Sequence, residues 1–271
     1  MKKIIFLSLA SISTFSDLVS DANDNFPVDL SNNSLVRRFL KKKRCMKPSI
    51  FTLLTVCLLV SACSIKDKFL IVPVAKNIKV DGESEDWCVE PLIGPLIECW
   101  KHLTDDTKLY LAHDFDWLYF AFDVADIEIT YNNDSEESSV NVSDRVELFF
   151  AQDTKLEKMY YCIEIDPQGK VMDYSALHYR QFDYKWDLQA MKIATRIDND
   201  QYFVEGAISL DQIRKLGLLS SDGKLIMGFY RGDFASSEDT NPNWWSWIDP
   251  KTNDPDFHVC TSFGSLYLSS K

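Results

Sequence analysis

The chain has 271 residues, 46% of them hydrophobic and 13% aromatic, with 29 Lys and Arg against 41 Asp and Glu. This composition supports one large core, and the acidic surplus repels phosphate backbones, which excludes nucleic acid as a natural partner. The same charge leaves divalent cations as plausible guests, or serves only to keep an exported domain soluble.

Residues 1–45 begin with a signal-like run, Met1 to Ile12, followed by polar Ser16 to Ser34 and a basic cluster, Lys41 to Arg44. Met46 is therefore an alternative start. From Met46 the chain reads Met-Lys-Pro, then an apolar run from Ile50 to Val60, then Ser61-Ala62-Cys63. A basic n-region, a short h-region and small residues before a cysteine form a lipobox, so residues 46–62 are read as a lipoprotein signal peptide. The run is too short to span a bilayer. Cys63 would carry the lipid, residues 63–68 would be a tether, and the protein would sit on the cell envelope, at the outer membrane. Nine basic and four acidic residues lie up to Ala62, so the remainder carries a formal charge near −17.

Four cysteines follow: Cys88, Cys99, Cys162 and Cys260. Export permits disulfides, and of three pairings Cys88 with Cys99 is expected, closing a short loop around Pro91 and Pro95; buried free thiols are the alternative. No CxxC pair or His-x-His spacing suggests zinc or redox chemistry.

From residue 69 to the end no linker or repeat interrupts the chain, and one domain is expected. Trp117 to Val124 is a nearly continuous apolar run suited to a central strand. Val146, Leu148 and Phe150 alternate with Arg145, Glu147 and Phe149, and the period of two recurs around Tyr161, Ile163 and Ile165. Asp166-Pro167-Gln168-Gly169 has the chemistry of a β-turn. Tyr202, Val204 and Ile208 oppose Phe203 and Glu205, behind a tight hairpin at Asp198-Asn199-Asp200. Ser209 to Gln212 has capping-box spacing and Gly217 is placed as a C-cap, which predicts one short helix near 209–217. Many strands with one minor helix make an all-β, antiparallel β-sandwich, jelly-roll-like.

Six segments in order carry a resemblance: Ile78-Lys79-Val80-Asp81-Gly82 with Trp87, Trp117 to Phe122, Asp144 to Phe150, Tyr202 to Ile208, Trp245 to Pro250, and Phe263 to Leu266. Read together, residues 69–271 resemble the family 9 carbohydrate-binding modules. The resemblance implies a sandwich that holds a terminal sugar or disaccharide between two tryptophans. Carboxylates and other polar groups would bond the hydroxyls, and calcium would occupy structural sites. Sugar rings offer a C–H face to aromatic rings, and vicinal hydroxyls suit bidentate side chains.

By position, Glu147 matches the family's sugar-binding glutamate and Trp247 one stacking tryptophan. The other tryptophan is replaced by Asn141, and an arginine of the neighbouring strand by Cys162. Tyr131 is the candidate for the missing ring. Trp245 shares the side of Trp247 if the segment is extended, and at least one of Trp244, Trp245 and Trp247 is expected in the core. Arg145 is a further ligand candidate, or the ion-pair partner of Glu147. Arg231, with Asp233, closes the list.

The leading function is a non-catalytic carbohydrate-binding lipoprotein. A glycoside hydrolase would need two carboxyls about 5 Å apart for retention or about 6.5–9.5 Å for inversion. An envelope scaffold that keeps the fold without a sugar site is the third reading. Haem ligation would need axial His or Met, and His113, His178 and His258 sit in no recognisable pair.

Overall fold

A computed structural model describes residues 69–101 and 103–270. The signal peptide, Cys63 and the tether to Lys68 fall outside the described residues. Period-two alternation sorts the strands into two sheets. The smaller has the order β10 (Met191–Ile197), β11 (Gln201–Ser209), β5 (Trp117–Ala125), β4 (Lys108–His113). The larger runs β3 (Leu103–Thr104), β2 (Ile97–Glu98), β13 (Asn243–Ser246), β12 (Lys224–Asp233), β6 (Arg145–Ala151), β7 (Tyr160–Ile165), β8 (Val171–Leu177), β9 (Gln181–Asp183). To its β12 is added β14 (Gly264–Leu268), which pairs with β1 (Phe69–Val72). The ladders are antiparallel except β1 with β14, which is parallel, the one departure from the expected sandwich.

The core lies between the sheets. Val146, Leu148 and Phe150 of β6 meet Phe120 and Phe122 of β5, Val204 of β11 and Phe229 of β12 there. As the alternation predicts, Arg145, Glu147 and Phe149 point to the opposite face of the larger sheet. A second apolar layer covers that face: Phe149, Tyr160, Cys162, Tyr174 and Tyr230 lie beneath Phe257.

On the outer face of the smaller sheet, Glu205 gathers the leading segment. Its Oε1 accepts from the backbone N–H of Asp81 and Gly82 at 2.7 and 2.6 Å, and its Oε2 from Trp87 Nε1 at 2.8 Å. This bonding accounts for the spacing of Val80-Asp81-Gly82 and Trp87. It also separates the cysteines. Cys88 is held beside Trp87, whereas Cys99 follows β2 of the larger sheet with its thiol toward Ile97 O, and both are free thiols, so the expected Cys88–Cys99 disulfide is not formed.

The helix α1 (Leu210–Lys215) forms where expected, and Gly217 at φ +70 ends it. The capping box does not form. Ser209 makes no side-chain cap bond, and the reciprocal half is diverted: Ser209 N–H donates to Ala190 O at 3.0 Å, while Gln212 Oε1 accepts from Ala190 N–H at 2.8 Å and ties the helix to the chain before β10.

Candidate functional site

The outer face of the larger sheet holds a pocket of about 210 Å³. Register builds its floor. Glu147 on β6 stands opposite Glu164 on β7, and Arg145, two residues earlier on the same face, stands opposite Gly232 on β12. Arg145 Nε donates to Glu147 Oε1 at 2.9 Å and lies 2.7 Å from Glu164 Oε2. Tyr174 on β8 donates its hydroxyl to Glu164 Oε1 at 2.7 Å. All three charged side chains are buried. Burial and the neighbouring Glu164 push the Glu147 carboxyl up to about 8, with Arg145 opposing.

Aromatic rings form the walls. Trp244 of β13 pairs with Gly232, and with no side chain there its ring reaches the Arg145 guanidinium, 5.0 Å from carbon to ring centroid. Phe257 packs edge-on against Trp244 at 5.8 Å and stacks on Tyr230 at 4.1 Å, which fixes the wall from behind. Tyr184 lines the pocket from the loop after β9, 58% exposed, backed by Tyr174 at 5.0 Å and Phe182 at 5.7 Å. A largely exposed ring resting on the buried Tyr174 and the half-buried Phe182 is available to a ligand. Asn141, at the rim, donates to Met172 Sδ at 3.4 Å.

A polar strap completes the rim. Arg180, at the tip of the β8–β9 hairpin, bonds Asp256 at 2.9 Å, and the Tyr179 hydroxyl donates to the same carboxylate at 2.5 Å. Beneath it His258 is 3.2 Å from the Tyr160 hydroxyl. Burial, with Arg180 adding, pushes its pKa down to about 3, so the ring is neutral at physiological pH.

Glu147 and Arg145 thus line the pocket and also form the ion pair offered as their alternative reading. Trp247 and Trp245 do not line it. Both face the core between the sheets, 4% and 6% exposed. They do share a side, and the register Arg231↔Trp245 and Gly232↔Trp244 turns that side inward, because Leu225, Met227 and Phe229 of β12 already face the core. Tyr131 is half-buried and does not line the pocket. Cys162 is buried in the aromatic layer below. Trp244, Glu164, Tyr174, Arg180 and Tyr184 were not singled out as ligand contacts. The available signal was the same alternation, which sends Trp244 opposite to Trp245 and Glu164 to the side of Cys162.

Arg231 belongs elsewhere. It continues the inward parity of β12 and ends among carboxylates, with Nη1 at 2.8 Å from Asp105 and Nη2 at 2.7 Å from Asp126 and 3.3 Å from Asp233. Among the described residues, Asp126, Asp144 and Asp233 bring oxygens within 4.8 Å of one another, the spacing of a cation site. The donors are already engaged. Asp144 accepts backbone N–H groups of Thr130 and Phe234 on its two oxygens, each at 2.6 Å. Burial pushes its carboxyl up to about 7. With the guanidinium bridging Asp126 and Asp233, this set fits an internal cation rather than the calcium that the resemblance implies.

The family model described as carbohydrate family 9 binding domain-like matches residues 97–271. Among solved structures, a candidate carbohydrate-binding protein from Bacteroides uniformis is similar at TM-score 0.58 and 16% identity, over 75% of this chain and 100% of that one. A family 9 carbohydrate-binding module from Caldicellulosiruptor kristjanssonii, in complex with glucose, is similar at TM-score 0.50 and 19% identity, over 75% of this chain and 97% of that one. The same organism's module in complex with cellotriose gives TM-score 0.51 at 19% identity, over 75% and 95%. No curated protein matches the chain. Since the family model spans most of the chain, including every strand of the pocket, the chain belongs to the carbohydrate family 9 binding domain-like family.

Proposed function

We propose that this domain is a non-catalytic carbohydrate-binding module that holds one terminal sugar residue of a glycan between Trp244 and Tyr184. The observation that carries the reading is the junction of an aromatic wall with a buried Arg145–Glu147–Glu164 floor in a cavity of about 210 Å³. Apolar C–H faces pack on the rings, and carboxylate and guanidinium groups bond the hydroxyls. Solved relatives in complex with glucose and cellotriose support the ligand class. Hydrolysis is disfavoured, because Glu147 and Glu164 stand side by side on one floor and share one guanidinium nitrogen. Catalytic carboxyls flank the scissile bond from two sides.

In the same reading, Cys63 is acylated and tethers the module to the cell envelope. Its support is the lipobox spacing of Leu59 to Cys63. Calorimetric titration with glucose, galactose and their short oligosaccharides tests the binding. A fully folded protein that takes up none of them, nor any member of a glycan array, would remove the proposal. Membrane fractionation of Cys63→Ser tests the tether, which is lost as an idea if the variant pellets with membranes like the parent.

A further inference from the structure

The charged groups lining the pocket do not cancel. Two guanidinium groups, Arg145 and Arg180, face three carboxylates, Glu147, Glu164 and Asp256. Arg180 and Asp256 close on one another at the rim. That leaves Arg145 as the single cation for both floor carboxylates, at 2.9 and 2.7 Å from the same nitrogen. One N–H cannot serve two acceptors well. It is directed at Glu147, and Glu164 Oε2, in a residue 4% exposed, accepts no hydrogen bond. The Tyr174 hydroxyl satisfies only the other Glu164 oxygen. The raised proton affinity of Glu147, whose carboxyl is pushed up to about 8, reports the same surplus: with that proton on, the floor is balanced, and once it leaves, the floor carries one negative charge in excess.

Resting on the sugar-binding reading, we infer that the pocket is a charge filter that takes amino sugars more tightly than neutral sugars and rejects uronic acids. An ammonium on the ligand replaces the missing cation of the floor and supplies donors where an acceptor is unused. A ligand carboxylate would add a second uncompensated negative charge to the floor beside aromatic walls, where water screens poorly. Neutral hydroxyls donate to the floor without relieving the charge, and fall between.

The test is a calorimetric series on the protein at one ionic strength and at a pH near 8, where Glu147 is giving up its proton, in both gluco and galacto configurations: the 2-amino-2-deoxyhexose, the parent hexose and the hexuronic acid. The expected order is amino, neutral, uronic, with about tenfold in Kd between steps, as for a partly screened pair of unit charges. Glu147→Gln should compress the series to within about threefold, because the surplus charge is gone. Glu164→Gln, which keeps the Glu147–Arg145 pair, serves if the first variant does not fold. A uronic acid bound as tightly as its parent hexose, or an amino sugar no tighter, overturns the filter while leaving sugar binding standing. Failure of all six ligands together overturns the sugar-binding reading, and the filter with it.

Discussion

Gly232 faces Trp244 across the β12–β13 ladder, and a Cβ placed on it would lie 3.1 Å from Trp244 Cζ3 and 3.5 Å from Arg145 Cζ. The absent side chain is what lets an aromatic wall and a charged floor meet. Gly232→Ala should push the half-buried Trp244 ring aside and weaken sugar binding about tenfold, near 1.4 kcal/mol, with a smaller change in stability. Calorimetry beside thermal melting checks this; unchanged affinity would show that the ring's position is not critical.

Trp244 and Trp247 should part company on truncation. Trp244→Ala should abolish measurable sugar binding in a folded protein. Trp247 packs on Phe229 at 5.6 Å, and its ring lies over Gly264, where an added Cβ would come within 2.3 Å. Trp247→Ala should therefore cost about 3–5 kcal/mol of stability. Denaturant melts of both variants decide the assignment, which fails if Trp247→Ala stays as stable as wild type or Trp244→Ala binds unchanged.

Opposed titrations should bound the stability of the domain. Glu147 is raised from 4.5 to about 8 by burial and Glu164, so the folded state holds this proton more tightly than the unfolded chain. Its contribution is full below 4.5 and declines as pH rises through about 8. His258 is lowered from 6.5 to about 3 by burial, so its contribution is full above 6.5 and declines as pH falls toward about 3. Unfolding free energies across pH should show Glu147→Gln flattening only the decline between 4.5 and about 8. A Gln variant with the wild-type profile would show that Glu147 does not titrate in this window.

Arg231 should make calcium dispensable. Adding calcium or a chelator should leave the melting temperature of the wild type unchanged. Arg231→Ala leaves Asp105, Asp126 and Asp233 without their cation and should destabilise by about 3–5 kcal/mol. In that variant calcium should restore part of the loss, since a cation bound only to the folded state stabilises it. A chelator-sensitive wild type would place a required metal ion in the domain.

Alternation fixed which residues share a side, and that was legible residue by residue: Glu147 with Arg145, Trp245 with Trp247, Val146 with Leu148. A period of two names the two faces of a strand but not which of them is covered, and for β13 only the register on β12 decides it. The sandwich and the helix at 210–215 were likewise local, written in turns, Gly217 and apolar runs. The pocket was not. Glu164, the Arg180–Tyr184 turn and Asp256 come from three separate stretches of chain, and the identity of Arg231 as a buried cation rather than a ligand contact rests on Asp105 and Asp126, brought to it by two other segments, beside Asp233 on its own strand. Such groups meet only when the sheets close, because the burial that sets their charges and the distances that pair them are properties of the packed structure and not of any one segment.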